Sequence, residues 1–200
     1  MNGEVVVVIL AAGAGRRMGG VAKALLETDA GSGESETFLG SIASTAAHAG
    51  AGRGVVVVGA PYGERVAAVA RQLGLEVVEN PDPDRGMSSS VAIGFDHVAS
   101  RLGGAGAALL WPVDHARVSL ATVALLVADS GPDRILVPTW RGRGGHPTGF
   151  GRHLWPELAG CADLPRGARS VIERHAGSVL RLEVDDPGVT ADVDHPDDLG

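Results

Sequence analysis

Short apolar runs alternate with longer amphipathic stretches along most of the chain. Val5–Leu10 is apolar at every position and rich in β-branched residues, and Gly54–Val58 repeats this pattern after its glycine. Such runs are typical of strands that are buried on both faces of a parallel sheet. Further short strands are predicted at 75–79, 107–110, 134–137 and 179–184.

Helical patterns lie between these strands. Thr37 is placed to cap a helix that runs to about residue 49, and further helices are predicted at 64–73, 87–102, 119–128, 153–158 and 168–175. Alternating strands and helices predict an α/β domain with a mostly parallel sheet. Polar residues 31–36 and the five glycines of 141–151 predict loops. With no repeat and no linker, we expect one domain over residues 1–200.

Composition excludes several classes of protein. Hydrophobic residues make up 44% of the 200 residues and charged residues 20%, which excludes a disordered chain. No apolar run approaches the roughly 20 residues of a membrane span, and Glu4 precedes the first run where a signal peptide has basic residues. The single cysteine, Cys161, excludes an internal disulfide. We therefore expect a cytoplasmic protein without a membrane partner, and the net charge of −7 argues against nucleic acid.

A glycine-rich loop follows the first strand. Backbone N–H groups in such a loop commonly face an anion. The spacing of Gly13, Gly15 and Gly19 is one residue longer than the dinucleotide motif, and the residues around Lys23 do not match a Walker A loop. Arg16, Arg17 and Lys23, the only lysine in the chain, favour a polyphosphate ligand over a plain surface turn.

The segment LAAGAGRRMG at 10–19, followed by KALL at 23–26, resembles the signature of the MobA-like nucleotidyltransferases, and most closely their molybdenum cofactor cytidylyltransferase branch. The resemblance implies a Rossmann-like nucleotidyltransferase fold with a mixed, mostly parallel sheet flanked by helices. It implies that the loop surrounds the triphosphate of an NTP, which Arg17 and Lys23 neutralise. The nucleotide contacts implied in this loop are Leu10, Ala11, Ala12, Gly13, Gly15, Arg17 and Lys23.

A second segment, ENPDPDRGMSSSVAIG at 79–94, is similar to a family segment that contacts the base and the ribose. The residues implied are Asn80, Gly86, Ser88 and Ser89. From the residues alone, a glycine followed by three serines also predicts a helix N-terminus.

Two acidic positions are candidate metal ligands. Asp114 follows a predicted strand at the sheet edge where α/β proteins bind ligands, and the matching Asp of the family's Asp-Met-Pro binds the catalytic magnesium. This chain has Asp114-His115-Ala116 instead, so the resemblance does not determine which acceptor the pocket binds.

The closing segment VTADVDHPDDL at 189–199 resembles the family's D-x-D-T-P-E-D-L. Asp192 is therefore expected to be the second Mg²⁺ ligand, with Asp194 as the alternative. Asp197 and Asp198 are expected to cap a terminal turn.

The segment RGRGGHPTGF at 141–150 resembles a family segment that contacts the acceptor. It implies Arg141 and His146 as acceptor-binding residues, with a solvated loop as the alternative interpretation of the arginine. We assign His146 no acid–base role.

Together these segments imply a Mg²⁺-dependent nucleotidyltransferase with Arg17, Lys23 and Asp114 as its catalytic residues. The LAAG form of the loop, with Ala12, implies CTP as the nucleotide. The resemblance to the molybdenum cofactor branch implies molybdopterin cofactor as the phosphorylated acceptor, with transient contact to a molybdoenzyme or its chaperone. Two alternatives remain open. One is the same chemistry on a sugar phosphate, a phosphonate or another small phospho-metabolite, and the other is a non-catalytic nucleotide-binding or cofactor-insertion module.

Overall fold

The computed structural model describes residues 3–29, 35–195 and 198, without the side chains of Arg17, Asp29 and Ser35. The strands are β1 Val5–Leu10, β2 Glu27–Asp29, β3 Ser35–Thr37, β4 Gly54–Val58, β5 Glu76–Glu79, β6 Ala107–Pro112, β7 Ile135–Trp140, β8 Arg143–Gly144, β9 Thr148–Gly151 and β10 Val179–Glu183. The helices are α1 Phe38–His48, α2 Gly63–Gln72, α3 Met87–Arg101, α4 Leu120–Asp129, α5 Trp155–Ala159 and α6 Ala168–Arg174. In this part of the chain, no helix is both long enough and apolar enough to cross a membrane.

The central sheet has the strand order β5-β4-β1-β6-β9-β7-β10, with β8 paired to β7. β1 pairs in parallel with β4 and β6, and β7 pairs in parallel with β10. β9 lies antiparallel between β6 and β7. This mixed, mostly parallel sheet flanked by helices confirms the predicted fold class.

Both faces of β1 are buried, which explains its unbroken apolar sequence. Val5, Val7 and Ile9 belong to the core that α1, α2 and α4 cover. The alternate residues of the strand belong to the opposite core, covered by α3, α5 and α6. Because α3 packs closely on the sheet, a Cβ on Gly94 would lie 2.5 Å from a methyl carbon of Val8.

The predicted cap of α1 is confirmed, and α4 has a side-chain cap as well. The hydroxyl of Thr37 accepts a hydrogen bond from the backbone N–H of Gly40 at 3.1 Å, and Ser119 caps α4 in the same way through Thr122 at 3.3 Å. These bonds satisfy backbone donors that have no partner within the helix. The predicted bounds of the other helices agree with the structure to within a few residues.

Two predicted loops contain strands instead. Residues 35 and 36 of the predicted loop belong to β3, which pairs with β2, and residues 31–34 lie outside the described part. In the second segment, Gly149 and Gly151 form β9, where a Cβ on Gly151 would lie 2.2 Å from the carbonyl oxygen of Pro132. This close packing requires glycine, whose low strand propensity hid the strand in the sequence.

Candidate active site

A cavity of about 530 Å³ opens at the carboxyl ends of β1 and β6. This is the edge of an open α/β sheet at which ligands bind. The structure brings ten of the predicted site residues to its lining: Leu10, Ala11, Ala12, Gly13, Gly15, Lys23, Gly86, Asp114, His146 and Asp192.

The glycine-rich loop forms one wall of this cavity. The backbone N–H of Ala11 still donates to the Val57 carbonyl at 2.9 Å, so the loop leaves the sheet just after β1. Gly15 has φ +57°, and a Cβ there would lie 2.0 Å from the carbonyl oxygen of Val21. Only glycine fits both constraints. At Gly13, by contrast, an added Cβ would meet no heavy atom within 4 Å, so a ligand can approach the backbone there.

Lys23 lies between two carboxylates. Its Nζ is 2.5 Å from Oδ1 of Asp194 and 3.5 Å from Oδ2 of Asp114. The three side chains are 14%, 26% and 21% exposed in the order Lys23, Asp194, Asp114, so water screens these ion pairs only in part. Asp194, the alternative metal ligand, therefore forms an ion pair with the same lysine as Asp114. Asp192 also lines the cavity, but it is exposed.

Backbone contacts hold this closing segment in place. The N–H of Val193 donates to the Asp114 carbonyl at 3.1 Å. Oδ2 of Asp198 accepts from the N–H groups of Asp194 and His195 at 2.9 and 2.7 Å, and these bonds lower the pKa of the Asp198 carboxyl. The predicted capping role of Asp198 is confirmed, and Asp197 lies outside the described residues.

The donor set at Lys23 fits a hard divalent cation. Oδ1 of Asp114 is buried and has no hydrogen-bond partner among the described residues. Magnesium prefers oxygen ligands, retains several waters and commonly takes one or two carboxylates. The described residues hold no group of three or more His, Cys, Asp or Glu side chains suited to a metal, so a cation here would rely on these carboxylates, on water and on phosphate oxygens.

Of the two loop arginines, Arg16 lines the cavity. Its Nη2 is 2.7 Å from Oδ1 of Asp84, and both side chains are exposed. This pair joins the glycine-rich loop to the 3-10 helix Pro83–Arg85. The side chain of Arg17 lies outside the description, so its role with phosphate stays a prediction.

Asn80 lies beneath the cavity and does not line it. Its Nδ2 donates to the hydroxyls of Ser89 and Ser90 at 2.8 and 2.9 Å. Its Oδ1 accepts from the N–H of Asp82 at 3.0 Å. Asn80 thus fixes the start of α3 against the preceding turn. Ser90, rather than Ser88 or Ser89, reaches the lining.

Arg141 also lies away from the cavity lining. Arg141 and Gly142 have φ of +51° and +74° and form the two-residue turn between β7 and β8. The guanidinium carbon lies 4.5 Å from the ring centroid of Trp140, and the backbone N–H donates to Glu183 at 2.9 Å.

Two imidazoles line the cavity beside Asp114. The ring centroids of His115 and His146 are 4.9 Å apart. Burial and then the proximity of His115 lower the pKa of His146 from 6.5 to about 4, against a hydrogen bond with the Leu110 backbone that raises it. His115 was not predicted as a site residue, although the departure from the family's Asp-Met-Pro marked its position.

Residues 7–179 match the MobA-like NTP transferase domain, and the chain belongs to this family. Nicotine blue oxidoreductase from Paenarthrobacter nicotinovorans is 31% identical over 196 residues, which cover 94% of this chain and 90% of that protein. Family membership supports a nucleotidyltransferase, while the name of this relative denotes a different reaction.

Solved structures share the fold over nearly the whole chain. Rv0371c from Mycobacterium tuberculosis H37Rv is 27% identical with a TM-score of 0.77, and 99% of this chain and 96% of that chain are covered. Its complex with manganese matches at 25% identity, a TM-score of 0.68 and the same coverage. A nucleotidyl transferase from Methanothermobacter thermautotroptrophicus, 21% identical with a TM-score of 0.78, shares the fold over 98% of this chain and 94% of that chain.

Proposed function

We propose that this protein transfers an NMP group from an NTP to a phosphorylated acceptor in a Mg²⁺-dependent reaction, with CTP as donor and molybdopterin cofactor as acceptor. The observation that carries this proposal is the position of Lys23 between Asp114 and Asp194, at the end of the glycine-rich loop. One cation and two carboxylates at the lining of this cavity suit the handling of a metal-bound triphosphate.

In the proposed reaction an oxygen of the acceptor phosphate attacks the α-phosphorus of the NTP. The bond from the α-phosphorus to the bridging oxygen of the β-phosphate breaks, and pyrophosphate leaves with that oxygen and its electron pair. The protein need supply no nucleophile, because the acceptor phosphate is one. Its tasks are to align two anions and to stabilise negative charge on the leaving pyrophosphate. Lys23 is the described side chain best placed for the second task.

Asp114 and Asp194 are the proposed metal ligands. The unpartnered Oδ1 of Asp114 supports this assignment, and so does the contact of Asp194 with the same ammonium. Bound there, Mg²⁺ would neutralise phosphate charge. Rv0371c, which is 25% identical to this chain, forms a complex with manganese, and this supports a divalent cation in the proposed reaction.

The choice of CTP depends on Ala12. This residue is 3% exposed and lines the cavity where β1 becomes the loop. We infer that its methyl group takes up space that a glycine at this position would leave for a larger purine. One methyl in a pocket discriminates by about 1–3 kcal/mol, or roughly 10–200-fold. Isothermal titration with each of the four NTPs and Mg²⁺ tests this: CTP should bind tightest, and tighter binding of GTP would contradict the choice of base.

Pyrophosphate release tests the reaction itself. Each NTP would be combined with molybdopterin cofactor, sugar phosphates and phosphonates. We expect release only with CTP, Mg²⁺ and molybdopterin cofactor together, and none after EDTA. Pyrophosphate release with a different acceptor would support the proposed reaction but show that molybdopterin cofactor is not its acceptor. Tight CTP binding without release for any acceptor would instead indicate a nucleotide-binding or cofactor-insertion module.

A second candidate is an oxidoreductase, favoured by the 31% identity to nicotine blue oxidoreductase over most of both chains. The same protein preparation, mixed with nicotine blue and NADH or NADPH, would be followed by loss of dye colour. Dye reduction without pyrophosphate release would replace the transferase proposal. Pyrophosphate release without dye reduction would exclude this candidate.

A further inference from the structure

A second, smaller cavity of about 280 Å³ lies between the glycine-rich loop and the turn that precedes α3. It shares part of its lining with the main cavity, namely Ala12, Gly13, Gly15, Arg16 and Pro83. The two cavities are therefore adjoining parts of one cleft, whose two walls here are the loop and the turn.

The two walls meet at the inner end of the smaller cavity. A Cβ placed on Gly59, which is buried, would lie 3.1 Å from the Cβ of Ala12 on the loop and 3.3 Å from Cγ of Pro83 on the turn. Ala12 is buried as well. A ligand therefore has no room to enter the cleft between the walls at this depth.

An ion pair joins the same two walls at the outer end. Nη2 of Arg16 donates to Oδ1 of Asp84 at 2.7 Å, and the two side chains are 75% and 73% exposed. Both residues line the smaller cavity, whose inner end is the buried Ala12. The pair therefore spans the gap between loop and turn on the side that faces solvent.

Each wall is held by its own backbone bonds. The carbonyl of Gly15 accepts from the N–H of Gly20 at 3.0 Å, and the Gly20 carbonyl accepts from the hydroxyl of Tyr62. On the turn, the N–H of Gly86 donates to the Pro83 carbonyl at 3.1 Å. None of these bonds involves the ion pair. Rotation of its two exposed side chains can therefore separate them while both walls keep their backbone bonds.

We propose that the ion pair of Arg16 and Asp84 is a gate across the cleft, which a nucleotide opens when it enters and again when it leaves. This inference rests on the proposed function in one respect, since it takes a nucleotide as the ligand of the cleft. Because the gate is crossed in both directions, it slows association and dissociation by the same factor. The Kd, which is the ratio of the two rate constants, is then independent of the gate.

Stopped-flow binding in the presence of Mg²⁺ and without acceptor tests the gate apart from catalysis. The probes are CTP and GTP that carry a fluorescent methylanthraniloyl group on the ribose, so the test does not depend on which base is preferred. Arg16→Gln/Asp84→Asn removes the ion pair, and Arg16→Glu/Asp84→Arg reverses it. Both double variants keep the net charge of the wild type, so long-range attraction of the nucleotide is the same in all three proteins.

The matched control is Arg53→Gln/Glu4→Gln. It removes an exposed ion pair of 3.0 Å at the amino ends of β1 and β4, away from the cleft. Unfolding midpoints would establish that every variant folds.

Without the ion pair, the association and dissociation rate constants should both rise by about 2- to 5-fold, the range that an exposed ion pair can supply. The Kd should stay at its wild-type value. The reversed pair should restore both rate constants, and the control should match the wild type.

Wild-type rate constants in the neutral double variant would overturn the gate, and so would a reversed pair that is as fast as the neutral one. A rise in the dissociation rate alone, with weaker affinity in both double variants, would make Arg16 a phosphate ligand and would also overturn it. Absence of binding by either probe would overturn the gate and the proposed function together. A gated nucleotide without pyrophosphate release would retain the gate and refute the transferase reaction, so the two can fail separately.

Discussion

The ammonium of Lys23 lies 2.5 Å from Oδ1 of Asp194, although 171 positions separate the two residues along the chain. The contact brings the closing segment of the chain onto the loop that follows its first strand. With Asp114 3.5 Å from the same ammonium, two carboxylates share one cation. Both carboxylates therefore lie close to one position, as the oxygen ligands of a divalent cation do.

Replacing Lys23 by alanine should lower turnover by about 100-fold or more, because little besides charge stabilisation contributes to this reaction. Lys23→Arg should also fail, since a planar guanidinium does not replace a compact ammonium between two carboxylates. Pyrophosphate release would be measured beside Arg53→Ala, which removes an exposed cation paired with Glu4 at the opposite edge of the sheet. Near-normal rates in a folded Lys23→Ala protein would contradict the assignment.

Asp194→Asn should raise the Mg²⁺ concentration needed for half-maximal rate more than Asp192→Asn does. The physical reason is that Asp194 shares the Lys23 ammonium with Asp114, whereas Asp192 is exposed. Titration of the rate with Mg²⁺ would separate the two variants, with Asp114→Asn as the fully impaired reference. A larger effect of Asp192→Asn would instead make Asp192 the second ligand, as the sequence predicts.

The sequence predicted the sheet, the glycine-rich loop and the position of Asp114, because each depends on local pattern: buried runs, a φ that needs glycine, and an acid directly after a strand. It could not distinguish Asp192 from Asp194. The two residues lie two positions apart, and they differ in a contact that only the folded chain makes: Asp194 reaches Lys23, 171 positions away, whereas Asp192 stays exposed. Nor could it place Asn80, whose partners Ser89 and Ser90 become neighbours only when α3 packs on the sheet.

Asn80→Ala should lower the free energy of unfolding by about 2–4 kcal/mol. The substitution removes hydrogen bonds to two serine hydroxyls and one backbone N–H in a site that is 2% exposed. Urea denaturation would measure it. Asp82→Ala is the matched control, because Asp82 contacts Asn80 through its backbone alone and is exposed. Equal stability of Asn80→Ala and the wild type would show that these bonds contribute no net stability.

Asp186→Ala should be destabilising by about 3 kcal/mol. This buried carboxylate accepts from the Ser119 N–H at 2.9 Å, from the Thr122 hydroxyl at 2.7 Å and from the Gly188 N–H at 3.0 Å, and hydrogen bonds to charged groups are the stronger ones. The exposed neighbour Asp185 provides the control, Asp185→Ala, which should change stability by less than about 0.5 kcal/mol. Similar losses in both variants would exclude a specific role for Asp186.

Stability should fall as the pH is lowered from 7 to 5, and His146 should account for a defined part of the loss. Its pKa is lowered from 6.5 to about 4 in the folded protein, so the unfolded chain binds the proton more readily. The stabilisation that neutral His146 gives the folded protein is therefore complete above pH 6.5. It is lost as the pH falls toward 4, and about 2 kcal/mol of it is lost at pH 5.

His146→Gln removes this titration, so the free energy of unfolding of this variant should change less between pH 7 and pH 5 than that of the wild type. The control is His48→Gln, on the exposed face of α1, which should retain the full pH dependence. An unchanged pH dependence in His146→Gln would mean that this imidazole is not held neutral by burial.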